Sequence, residues 1–316
     1  MDSIYAGGPV YSGVHTLLGL PYSKDLTDVD VAMYGMPFDI TTTNRTGTRF
    51  GPMGIRECGQ CKPYNEYFDI DIFDDFKAVD TGDFKIPLSY VDRDMEAVEN
   101  QLYSLLDQGV KTIGVGGDHT LSYPELMAVK KKFGPVAFVH FDSHTDTWDW
   151  PDENGNTLIN HGTPFRLAIQ HGCLDMDHAI QIGMRGGFGS LEDHDFALSH
   201  GMKIVFGNEL HDIGMSECAE RIRKVVGDKP VFVTFDIDFL DPAVAPGTGT
   251  PIVGGFTTAE ALQLLREGLA GLNIVAMDLV EVAPAYDPSG QTQVVANELL
   301  REFLSILSYN KKKAGK

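Results

Sequence analysis

Cysteine is scarce. Four residues in 316 are too few to staple a chain of this size with disulfides. Cys58 and Cys61 form a lone C-x-x-C without the second pair that a structural zinc site needs. No apolar run is long enough to span a bilayer. The opening "MDSIYAGGPVYSG" lacks the basic and apolar regions of a secretory signal. A cytoplasmic protein with no membrane partner is the expectation. Cations are in deficit too: 25 Lys and Arg face 45 Asp and Glu, for a formal net charge of −20. Nucleic acid is excluded as a partner, because phosphate binding needs clustered Lys and Arg. A cationic small molecule suits this balance. Tryptophan occurs only twice, as Trp148 and Trp150.

What is present is a good supply of core. Hydrophobic residues make up 43% of the chain. Near-continuous apolar runs at 29–36, 111–117, 136–142, 179–184, 203–207, 231–238 and 274–282 read as strands covered on both faces. Helical patterns lie between them. The segment 95–109 has an amphipathic rhythm and a terminal glycine. The segment 257–269 opens with Thr257 and Glu260 at capping-box spacing. Alternating strand and helix implies an α/β fold on a parallel sheet. No composition shift or repeat divides the chain, so one domain over 1–316 is expected. It would carry an irregular N-terminal arm at 1–27 and a frayed basic tail at 310–316.

Polar clusters sit where the strands end, which is where open parallel sheets bind ligands. They are "GGDH" at 116–119, "DSHTD" at 142–146, "DID" at 236–238 and Glu281. Alternate residues of an extended segment face one side. Asp142, His144 and Asp146 would therefore converge if the backbone stays extended, and Asp236 and Asp238 follow the same rule. With His119 they offer two imidazoles and four carboxylates. Such acids repel strongly when packed without cations. Oxygen-rich ligation with some imidazole points to two divalent metal ions, Mn²⁺ foremost, with Ni²⁺ the first alternative and Co²⁺ and Zn²⁺ also compatible with the ligand types.

These motifs resemble the ureohydrolase family of arginases, agmatinases and guanidino-acid hydrolases. The resemblance rests on "GGDHTL" (116–121), "HFDSHTDT" (140–147), "HGTPF" (161–165), "TFDIDFLDPAVAPGTGTP" (234–251), "MDLVEVAPAYD" (277–287) and "GTRFGPMGIR" (47–56). It covers roughly residues 28 to 305. It implies a three-layer α/β/α fold around a mainly parallel eight-stranded sheet, in trimers or hexamers. It also implies hydrolysis of a guanidino C–N bond to urea and an amine, by a hydroxide held between the two ions. His119 and Asp146 would bind one ion, and His144 and Asp238 the other. Asp142 and Asp236 would bridge them. Asp146 would carry the hydroxide proton to the leaving nitrogen, His161 would assist as a shuttle, and Glu281 would hold the substrate guanidinium. Ser143 stands where the family more often has alanine, and its side chain is expected to point away from the metals. The remaining histidines, His140 among them, read as structural or exposed.

The substrate's other end is recognised by loops. In 41–50, Asn44, Arg45 and Arg49 are candidates, an arginine meeting a carboxylate or serving only structure. In 147–160, Trp148 and Trp150 would narrow the pocket or stack on a flat cation; packing in a loop or between subunits is the competing role. Agmatine, guanidino acids and small N-alkylated guanidines or biguanides all fit. A silent partner subunit that keeps only the fold is the reading from another class; its intact ligand set argues against it.

Overall fold

The computed structural model describes residues 12–59, 61–186 and 192–315. Its strands are β1 (Val31–Gly35), β2 (Tyr64–Asn65), β3 (Ile70–Asp71), β4 (Ala78–Asp83), β5 (Lys111–Val115), β6 (Val136–Phe141), β7 (Leu174–Ile182), β8 (Lys203–Val205), β9 (Val231–Asp236) and β10 (Ile274–Val280). Its helices are α1 (Gly51–Arg56), α2 (Val91–Leu106), α3 (Ser122–Phe133), α4 (Pro164–Gln170), α5 (Glu192–Ser199), α6 (Gly207–Val226), α7 (Thr258–Leu269) and α8 (Gln291–Ala314). Eight strands form one sheet in the order β4-β1-β5-β10-β9-β6-β7-β8. Every neighbouring pair in it is parallel. β2 and β3 make a separate antiparallel hairpin.

Each face of the sheet has its own core. On one side Val31, Val139 and Val233 pack with Ile222, Leu265 and Phe303 from α6, α7 and α8. On the other, Phe138 and Phe232 pack with Leu102, Val129 and Phe165 from α2, α3 and α4. The sheet is thus the middle of three layers, and its central strands are buried along their whole length, as the unbroken apolar runs require. The capping box at Thr257 and Glu260 forms, with both reciprocal bonds present.

Two boundaries differ from the sequence reading. The edge strand β4 has no unbroken apolar run, because Asp80 and Thr81 lie inside it. Asp80 is spent on local chain ends, accepting from Leu17 N–H and from Arg56. The tail is not frayed up to its end: α8 continues through Ala314, with Lys311 bonded to Asp30 and Lys312 to Asp74. In the arm, residues 1–11 lie outside the described residues, while Leu17 and Leu18 are fully buried. Among the described residues no helix is long and apolar enough to cross a membrane.

A buried acidic network ties α3 to the sheet behind the site. Tyr34 of β1 donates to Glu125 of α3, and Ser122 donates to Asp278 of β10. Glu125 and Asp278 are both fully buried. Burial, and then Asp278, push the Glu125 carboxyl well above its usual range, so it keeps its proton in the folded chain. A raised folded pKa gives stability that is complete below the unfolded carboxylate range and is lost as pH rises through the folded value. Glu125→Gln cannot ionise and so removes this titration. In metal-stripped protein it should therefore flatten the alkaline loss of melting temperature, by roughly 3 to 10 °C. Melting curves of both proteins from pH 6 to 10 check this; parallel curves would refute it.

Candidate active site

The chemistry-bearing groups meet at the carboxyl ends of β5, β10, β9 and β6, the four central strands. β6 follows β5 in sequence but lies two strands away, leaving the gap that β9 and β10 fill later. That is the crevice where open α/β sheets take ligands. After β5 the chain must turn hard to deliver His119, and Gly117 permits it. A Cβ there would lie 1.7 Å from the Phe38 carbonyl oxygen.

The convergence does not come from extended backbone. β6 ends at Phe141 and β9 at Asp236. Beyond those ends the first aspartate of each motif bends the chain around itself. Asp142 Oδ1 accepts the His144 N–H at 2.6 Å, and Asp236 Oδ1 accepts the Asp238 N–H at 2.8 Å. Both are Asx-type turns. Asp146 then takes a left-handed φ of 49°, and Glu281, just after β10, one of 66°. Non-glycine residues adopt that region at a cost that functional sites commonly carry. The bend corrects one expectation. Ser143 points inward: its hydroxyl donates to Asp238 Oδ1 at 2.7 Å.

Two clusters result. His119 Nδ1 lies 3.1 Å from Asp142 Oδ2, 3.0 Å from Asp146 Oδ2 and 3.2 Å from Asp236 Oδ2. His144 Nδ1 lies 3.4 Å from Asp142 Oδ1 and 3.1 Å from Asp238 Oδ2. Asp142 thus shares its two oxygens between the clusters. His119 Nδ1 is buried among three oxygens yet has no hydrogen-bond partner. With Nε2–H donating to Thr234 Oγ1 at 2.9 Å, the Nδ1 lone pair faces those oxygens. That is the arrangement of a ligand shell, in which the other ring nitrogen is anchored. Charge agrees. Burial, then Asp238 and Asp142, push Asp236 well up; burial and Asp142 also raise Asp238. Two divalent metal ions would supply the positive charge that these acids lack.

Beside the clusters lies a small cleft lined by His144, Asp146, Trp148, His161, Asp236, Thr250 and Glu281 among others. Glu281 Oε1 is committed: it accepts the His119 N–H at 3.0 Å and lies 2.9 Å from His161 Nδ1. Its Oε2 is buried and has no partner. Thr43 N–H donates to His161 Nε2 at 3.0 Å. That nitrogen is therefore the acceptor, and Nδ1–H is the donor to Glu281. Burial opposes a charge on His161, but Glu281 outweighs it and pushes the pKa up to about 9. The fixed backbone donor at Nε2 opposes the imidazolium in this arrangement.

The loop candidates divide. Trp148 lines the cleft, its ring centroid 6.4 Å from that of His144. Trp150 stacks on Trp148 at 6.3 Å but is 41% exposed and outside the lining. Asn44 donates to the Gly249 carbonyl, and Arg45 to the Gly249 and Thr248 carbonyls. Arg49 pairs with Asp39. None of these three lines the cleft. Sequence reasoning undervalued His140, whose Nε2 lies 2.8 Å from Asp142 Oδ2. Strand alternation, two residues before Asp142, was the available signal.

Fold and site together define a three-layer α/β/α protein with paired carboxylate–imidazole clusters suited to divalent ions. The arginase family model matches residues 29–305, and the chain belongs to the arginase family. An agmatinase of Chromobacterium violaceum is 41% identical, over 96% of this chain and 92% of the relative. A guanidinobutyrase of Pseudomonas aeruginosa is 38% identical, over 95% and 94%. Among solved structures, proclavaminate amidino hydrolase from Streptomyces clavuligerus superimposes with a TM-score of 0.89 at 35% identity, covering 96% of this chain and all of that one.

Proposed function

We propose that the protein hydrolyses the guanidino group of a small substrate whose remainder carries no carboxylate. Water adds at the guanidino carbon, the C–N bond to the substrate's remainder breaks, and urea and a protonated amine leave. The observation that carries this reading is the bare, buried Oε2 of Glu281, a residue that lines the cleft together with Asp146 and His144. A guanidinium offers paired N–H donors to such an oxygen, in a charge-assisted bond. His119 and Asp146 would hold one ion and His144 and Asp238 the other, with Asp142 and Asp236 shared between them. When bound, the ions supply Lewis acidity and a water of lowered pKa. Mn²⁺ is favoured by the oxygen-rich set, with Ni²⁺ the alternative. Asp146 belongs to both the His119 cluster and the cleft. Its carboxylate would take the attacking water's proton and pass it to the leaving nitrogen. His161 has both nitrogens engaged, by Glu281 and Thr43. We give it the task of holding Glu281 in line.

The tail preference follows from charge. Among the described residues no Lys or Arg lines the cleft, and Arg45 and Arg49 are committed elsewhere. The adjacent loop brings Asp149, Asp152 and Glu153. An amine-tailed guanidine of the agmatine type fits this, as does a small N-alkylated guanidine against Trp148. Exposed Phe50, Met53 and Val253 give a second copy apolar surface to cover, in keeping with a homo-oligomer.

The test is product release by purified protein loaded separately with Mn²⁺ and Ni²⁺. The panel holds agmatine, 4-guanidinobutanoate, 3-guanidinopropanoate, arginine, guanidine, dimethylguanidine and metformin. Agmatine or an alkylguanidine should exceed the guanidino acids at least about ten-fold in kcat/KM, since an unpaired buried charge costs more than one decade. Preference for a guanidino acid would overturn the tail assignment. No hydrolysis of any compound with two ions bound would overturn the reaction.

A further inference from the structure

We infer that the Ser143 hydroxyl is a positioning group for the His144-side metal ion, setting how tightly that ion is held through Asp238. The inference rests on the dinuclear reading above and deepens it. Ser143 is fully buried. Its backbone N–H donates to Asp238 Oδ1 at 3.1 Å, and its hydroxyl donates to the same oxygen at 2.7 Å. Its carbonyl accepts the Arg185 N–H at 2.9 Å. The residue is therefore pinned by its backbone on both sides, and the hydroxyl is an addition to an already fixed frame.

Both Ser143 donors fall on one oxygen. Asp238 is thereby turned so that its other oxygen, Oδ2, faces His144 Nδ1 at 3.1 Å. The hydroxyl oxygen also lies 3.0 Å from His144 Nδ1. A ligating imidazole nitrogen carries no proton and its lone pair would be turned to the ion, so the single hydroxyl proton goes to the carboxylate, the shorter contact. Asp238 then presents Oδ2 alone to the ion, in a fixed orientation, with its other oxygen's charge partly satisfied. On the His119 side, Asp236 Oδ1 is held by the Asp238 backbone N–H. The two halves are therefore unlike, and Ser143 acts on one of them.

Losing an outer hydrogen bond to a metal ligand typically weakens metal binding about 10- to 100-fold. Ser143→Ala should weaken one of the two binding steps by that factor and change the other less than about three-fold. Ser143→Gly should do the same, and both should fold, because the backbone bonds of Ser143 remain. The readout is titration of stripped protein with Co²⁺. Trp148 fluorescence, next to His144, reports one half, calorimetry gives both steps, and the visible Co²⁺ spectrum reports ligand geometry. Melting of the stripped variants shows whether the fold is intact. If both steps keep their wild-type affinities in either folded variant, or the second step tightens, the role assigned to Ser143 is wrong. If wild-type protein takes up no second ion, the dinuclear reading itself fails, and the two failures are distinguishable.

Discussion

Glu281→Gln is expected to lower kcat/KM for the best guanidine by two to three orders of magnitude while leaving two metal ions bound. Glutamine keeps a carbonyl oxygen for the His119 N–H and the His161 Nδ1–H, both now accepted by Oε1. It replaces the bare Oε2 by an NH₂ group that points its own hydrogens at the substrate's. A charge-assisted acceptor is lost and a donor–donor contact appears. That is worth about 3 to 4 kcal/mol, or roughly 10² to 10³ in rate at 1.36 kcal/mol per decade. Kinetics together with metal analysis check it. A variant with full metal and near-normal kcat/KM would remove Glu281 from guanidinium binding.

Asp142→Asn should have a still larger effect, for a different reason. Among the described residues Asp142 is the one carboxylate paired with both histidines, through Oδ2 on the His119 side and Oδ1 on the His144 side. His140 grips it from behind. An amide keeps the shape and removes the shared negative charge, so metal content should fall below two ions per chain. Activity should fall by roughly three to four orders of magnitude, since the ions provide the nucleophile and several kcal/mol of charge stabilisation. Stability separates this from misfolding. Ions that bind only the folded chain add about 4 kcal/mol at a thousand-fold excess over Kd. Wild-type protein should thus melt higher with metal than without, and the variant should lose most of that gain. Stripped of metal, the variant should still unfold cooperatively but somewhat below wild type: burial disfavours the Asp142 charge, yet His140, His119 and His144 outweigh it and hold the carboxyl well below its usual range, so that charge supports the fold. Two ions retained at wild-type affinity would mean that Asp142 is not shared.

Much of this architecture was readable beforehand. Strands buried on both faces cannot alternate polar and apolar residues, so β6, β9 and β10 stood out as unbroken apolar runs. The polar groups at their ends stood out by contrast. β4 did not, because an edge strand can afford Asp80 and Thr81, and its apolar signal is diluted. The candidate site residues were picked out as a set that the structure brings together, while the geometry that joins them was misread. Extended alternation was the expectation; Asx turns at Asp142 and Asp236 bring the groups together instead. An aspartate that bends its own backbone looks, in one dimension, like an aspartate on a strand.

Sequence by itself therefore determined the layer architecture, the family and the chemical kinds of group at the strand ends. These depend on burial patterns and residue types that are local in the chain. Tertiary structure decided which oxygen is free and which is spent. Glu281 Oε2 is bare because Oε1 is claimed by residues 119 and 161, and Arg49 is removed from the substrate by Asp39. Ser143 faces Asp238 because one turn reverses the side to which its side chain points. Hydrogen bonds between segments far apart in sequence settle such assignments, and no local pattern encodes them.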